Sequence, residues 1–125
     1  MRSECVLVLT TVPGDERAET LARTLVDERL AACVNVQAPM VSIYRWKGDV
    51  ERGVERQLVI KTTSDRLPAL EARLRELHSY ELPEFVVMSV DEGSAAYLAW
   101  VKEQVAEQVR QPERKGEKAK LKRSK

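Results

Sequence analysis

The first twelve residues end in an unbroken apolar and β-branched run, CVLVLTTV (5–12), closed by Pro13-Gly14. Such a run has no polar face, which predicts a strand central in its sheet and covered on both sides. From Asp15 the period changes. Ala18, Leu21, Ala22, Leu25 and Val26 follow the i, i+3, i+4, i+7, i+8 rule with charges between them, so a helix is expected through about Leu30. Gly14 or Asp15 is placed to cap its first turn. VNVQAPMVSIYRW (34–46) then alternates on either side of Pro39, which cannot donate to a ladder and marks a bulge or an edge. Lys47-Gly48-Asp49 begins a turn, and VERQLVIKTT (54–63) alternates again, so the two runs read as one long hairpin. Thr63, Ser64 or Asp65 caps a second helix whose stripe is Leu67, Leu70, Leu74 and Leu77, with Pro68 tolerated near its start. Pro83 closes the following connection, FVVMSVD (85–91) is a short strand, and Ser94 opens a last helix through Leu98, Val101 and Val105.

The order is β-α-β-β-α-β with an extra C-terminal helix. It predicts an α+β, ferredoxin-like sandwich in which an antiparallel four-stranded sheet carries both earlier helices on one face. The hairpin does not fit inside such a domain. Thirteen strand residues span roughly 43 Å, whereas a domain of about 110 residues is some 35 Å across. An overhanging hairpin carries Tyr44 and Trp46 outward, and the chain has only six aromatic residues. Large aromatic groups at a protruding tip are typical anchors for a partner, and another copy of the chain is the expected one.

Composition adds bounds. Apolar residues are 43% and charged residues 33% of 125, ordinary for a globular chain. The apolar runs are far too short for a membrane span, and the N-terminus carries no secretory cleavage pattern. Cys5 and Cys33 stand in apolar surroundings without close spacing, as reduced thiols do, and a cytoplasmic location is expected. The net charge of +1 hides an asymmetry: residues 111–125 hold seven basic and two acidic side chains, residues 1–110 hold 14 and 18. The expected organisation is a domain over 1–110 and a basic tail over 111–125 that has too little apolar surface to order itself. A basic run attracts phosphate, but no aromatic residue is interleaved to stack on bases.

Candidate chemistry is sparse. Glu81 and Glu84 flank Leu82-Pro83 and could pair with Lys61 or Arg45, as a polar subunit seam or a small-ligand pocket. His78, the single histidine, falls at a helix C-terminus, where its cationic form is favoured. There is no Ser-His-Asp order, Gly-rich phosphate loop, HExxH or CxxC, and a lone histidine without a nucleophile argues against an enzyme. The element order is also that of RNA-recognition domains, but their central strands need stacking aromatics, which CVLVLTTV and VERQLVIKTT lack. Nucleic acid is therefore not the expected partner.

ERLAACVNV (28–36), SIYRWKGDVE (42–51), LVIKTT (58–63), LHSYELPE (77–84) and YLAW (97–100) occur in that order. Together they closely resemble the CutA family of divalent-cation tolerance proteins, over about residues 4–103. The resemblance implies a ferredoxin-like protomer, a homotrimer held through long hairpins, likeness to PII-type signalling trimers and no established enzymatic activity. Subunit-interface or cleft positions on this reading are Tyr44, Arg45, Trp46, Lys61, Glu81, Glu84 and Trp100. Copper sites in the family resemble a cysteine ending the first strand with paired histidines before a Pro-Tyr step. Those places here are Thr10, Leu77 and His78, with Ser79 in place of the proline. Only His78 remains as a ligand type, and a hydroxyl and a leucine do not replace a thiolate and an imidazole for copper. His78 and Cys33 are thus the metal candidates, for copper or another divalent cation, with Cys33 equally readable as a small buried hydrophobe. The alternative is a PII-like sensor taking a small anion or nucleotide at a subunit cleft.

Overall fold

A computed structural model of the chain describes residues 3–107. The basic tail over 111–125 lies outside the described residues. The elements run β1 (Cys5–Pro13), α1 (Arg17–Asp27), β2 (Cys33–Val36), β3 (Met40–Trp46), β4 (Asp49–Thr63), a 3-10 turn (Ser64–Arg66), α2 (Leu67–Leu77), β5 (Val86–Ser89) and α3 (Ala95–Val105). The fold is mixed α+β with an antiparallel sheet ordered β2-β4-β1-β5. β3 continues beyond β2 along the distal half of β4. Pro39 falls in the break between β2 and β3, as a residue without an amide donor must.

β1 lies between β4 and β5, the central place expected of it. Its even-numbered side chains, among them Val6, Val8 and Val12, join Leu58 and Ile60 against Ala18, Leu21 and Leu25 of α1 and Leu70 and Leu74 of α2. Its odd-numbered side chains face the other way. There Cys5 packs with Ala32, Val101 and Val105 beneath α3. One sheet face thus carries α1 and α2 and the other carries α3.

Local chemistry sets the boundaries. α1 starts two residues later than the periodicity suggests, because Asp15 turns back: its carboxylate accepts the Arg17 amide and guanidinium at 3.0 Å each. Arg29 (φ 60°) ends the helix in the left-handed region, and Leu30 N–H reaches Leu25 O at 3.0 Å, closing a Schellman-type turn. Ser94 caps α3, accepting from the Tyr97 amide at 3.3 Å. Two stripe positions are not core. Val26, 41% exposed, lies at the edge of the α1 stripe, and Leu77, 39% exposed, ends α2 beside an open pocket between that helix and α1.

Candidate ligand cleft and ribbon

The β3–β4 hairpin turns through Lys47 (φ 50°) and Gly48 (φ 88°), two left-handed residues flanked by the paired Trp46 and Asp49. This is the turn whose twist matches the strands it joins. β1 stops at Pro13, paired with Glu55. The ribbon of residues 40–54 therefore runs on alone for about 20 Å.

Cross-strand partners share a face, so the register assigns each side of the ribbon. On one side lie Val41 with Val54, Ile43 with Arg52, and Arg45 with Val50. Ile43 and Val50 are 64% and 65% exposed. On the other lie Met40 with Glu55, Ser42 with Gly53, Tyr44 with Glu51, and Trp46 with Asp49. The first side is aliphatic with arginines, the second aromatic and acidic.

The aromatic side does not point away from the protomer. It faces the chain's own 79–84 loop across a cleft of about 690 Å³, lined by Tyr44, Trp46, Glu55, Tyr80, Glu81 and Glu84 among others. The Tyr44 ring lies over Gly53, where an added Cβ would stand in ordinary contact at 3.6 Å from its hydroxyl. Tyr80 is held by Glu55: burial first, then the hydrogen bond and negative charge of Glu55, raise its phenol above the ordinary range. Lys47 sits at the cleft edge, its Nζ 5.5 Å from the Trp46 ring centroid and 3.7 Å from Glu81 Oε2.

His78 anchors the loop. Its Nε2 bonds Thr11 O at 2.7 Å and its Nδ1 accepts the Tyr80 amide at 3.1 Å. The carbonyl requires Nε2–H and the amide requires an unprotonated Nδ1, so the neutral tautomer is set from both sides. The ring also stacks obliquely on Tyr80, centroids 4.6 Å apart.

The expected site residues divide between places. Tyr44, Trp46, Glu81 and Glu84 meet at the cleft. Arg45 falls on the opposite ribbon face and bonds Gly48 O at 3.3 Å. Glu81 pairs with Lys47 rather than with Lys61 or Arg45. Lys61 lies near the far end of β4, opposite Cys33, with its Nζ 5.9 Å from the Tyr97 ring. Trp100, on α3, packs against the Cys5 cluster, with its ring centroid 5.6 Å from that of Tyr97.

The metal candidates do not converge. His78 is tied to Thr11, which pairs with Gln57, whereas Cys33 pairs with Lys61. That separation is about 13 Å along β4. Both imidazole nitrogens are engaged, Thr10 is sealed in the core, and Cys33 is half-buried rather than fully buried. No group of three or more His, Cys, Asp or Glu among the described residues is arranged to hold a metal ion. The residues present do not fit a copper site.

Glu55, Tyr80 and Lys47 were missed as cleft residues. Counting outward from the two-residue turn pairs position 40 with 55, so Glu55 was open to that reading. Tyr80 was not, because its place depends on the His78 anchor.

Residues 6–104 match the family model of the CutA1 divalent ion tolerance protein. The chain is 47% identical over 97 residues to the divalent-cation tolerance protein CutA of Thermus thermophilus, covering 78% of this chain and 94% of that one. It is 43% identical to human Protein CutA over 99 residues, which are 79% of this chain and 55% of the human one. The crystal structure of CutA from Xylella fastidiosa superposes with a TM-score of 0.80 at 41% identity, covering 83% of this chain and all of that one. CutA1 from Oryza sativa does so with a TM-score of 0.81 at 34% identity, covering 86% and 98%.

Proposed function

The chain belongs to the CutA1 divalent ion tolerance family, and from that premise we propose that it serves divalent-cation tolerance as a non-catalytic homotrimer of ferredoxin-like protomers. The observation that carries this reading is the aliphatic ribbon face. Val41, Ile43, Val50 and Val54 stand exposed together on a strand pair that its own domain does not cover. Burying such side chains contributes about 1.5–3 kcal/mol each at full burial, and a closed ring repeats the contact in every subunit. β5 adds a second apolar edge, with Val86, Val87 and Met88 exposed. Assembly therefore runs through the aliphatic face, and Tyr44 and Trp46 remain with the cleft.

Metal contact in this reading is weak and superficial, since the candidate ligands are dispersed. A PII-like role would place a nucleotide or small anion at a subunit cleft. Within one chain, the cleft lining among the described residues includes Glu55, Glu81 and Glu84 and no lysine or arginine, which does not favour an anion there. The two free cysteines suit a reducing compartment, the cytoplasm on this proposal. Among the described residues no helix is long and apolar enough to cross a membrane.

Sedimentation equilibrium tests the assembly. The wild type should sediment as three chains, and Ile43→Asp with Val50→Asp should give monomers that keep native circular dichroism. A wild type that remains monomeric at every concentration, or a double variant that remains trimeric, overturns the reading.

A further inference from the structure

We propose that the cleft between the ribbon and the 79–84 loop binds an organic ammonium cation, an aliphatic amine carrying one or more charged nitrogens. The lining residues named here all belong to one chain, so the proposal goes beyond the assembly reading and is tested apart from it. Its volume of about 690 Å³ falls in the range of small-molecule sites, about 300–1,000 Å³. Its walls combine the rings of Tyr44, Trp46 and Tyr80 with the carboxylates of Glu81 and Glu84. Aromatic faces attract a cation through their quadrupole, and carboxylates accept its N–H bonds.

Two further observations select an ammonium. Glu84 is half-buried on the cleft wall and has neither a hydrogen bond nor an ion pair among the described residues. A carboxylate partly withdrawn from water without a counter-charge favours a cationic guest. The second is Lys47. Its alkylammonium already lies against Trp46 and Glu81, at 5.5 Å and 3.7 Å. The chain's own side chain thus takes the ring-and-carboxylate arrangement that a free amine would take further in. A compact metal ion suits the cleft less well. It needs several oxygens within about 2.6 Å of one point, and the described carboxylates do not converge so. An ammonium on a flexible chain tolerates dispersed partners, since a ring acts within about 6 Å.

Cadaverine (1,5-diaminopentane) is the probe, followed by titration calorimetry and by Trp46 fluorescence in a Trp100→Phe background. Saturable binding is expected, with 1,5-pentanediol giving none, because it has the length without the charge. Glu84→Gln should weaken the amine at least about tenfold. Lys47→Gln should strengthen it by removing the resident ammonium. The proposal is overturned by no saturable response at about 10 mM cadaverine, by equal binding of the diol, or by displacement with magnesium chloride as effective as with a second amine. Unchanged affinity in a natively folded Glu84→Gln overturns it as well. Should that variant fail to fold, Lys47→Gln, at an exposed side chain, decides: unchanged or weaker affinity overturns the proposal. Light scattering on the same samples separates the two readings. A monomer that binds cadaverine removes the trimer alone, and a trimer indifferent to cadaverine removes the amine site alone.

Discussion

Thr62 Oγ1 donates to the Leu30 carbonyl at 2.8 Å, both groups buried, and so fastens β4 to the turn that ends α1. Thr62→Val keeps the volume and leaves that carbonyl without this donor. A loss of about 1–3 kcal/mol is expected, read as a lower urea midpoint at one fixed protein concentration. An unchanged midpoint would mean that the carbonyl finds another donor.

Thr10 is the opposite case on the same sheet face. It is fully buried, and its Oγ1 has no hydrogen-bond partner among the described residues. Thr10→Val removes a desolvated hydroxyl at nearly constant shape, so it should stabilise by about 1 kcal/mol or more. A melting temperature below that of the wild type refutes this.

Copper affinity should be the same in wild type and His78→Ala, against the expectation from family position, because the histidine's two nitrogens hold Thr11 and Tyr80. The variant should instead lose about 1–3 kcal/mol of stability with those two bonds. Calorimetric titration with copper(II) and a thermal melt measure both. A large copper-specific loss in the variant would return His78 to the metal candidates.

Asp15 should titrate near 2, because the Arg17 side chain and amide bond its carboxylate. Its folded pKa is lowered, so its contribution is present above the ordinary carboxylate value and lost as pH falls towards about 2. Carboxyl-carbon NMR across that window checks the midpoint, and Arg17→Ala should return it towards the ordinary range. A wild-type midpoint near 4, the ordinary value, contradicts the contact.

Gly48 holds φ 88° with open space where a Cβ would stand. Gly48→Ala therefore carries only a conformational penalty, about 1–2 kcal/mol. It should appear as lower stability at unchanged core packing, by urea unfolding with near-ultraviolet circular dichroism. A cost near zero would show that the turn changes type.

Element order, the central place of β1, the break at Pro39 and the cap at Ser94 were legible in the sequence, because period, proline and capping chemistry act over a few neighbouring residues. So was the overhang of the hairpin, which follows from strand length against domain size. The direction of Tyr44 and Trp46 was decided by tertiary structure. Alternation places them on one ribbon face, but only the 79–84 loop, pinned through His78 to Thr11, makes that face a cleft wall. The same anchor engages both ring nitrogens of His78, and the length of β4 separates Cys33 from it. These outcomes depend on contacts between residues far apart in the chain, where no local period operates. The sequence by itself determined which residues could do chemistry; the packing of loop on ribbon decided which of them meet.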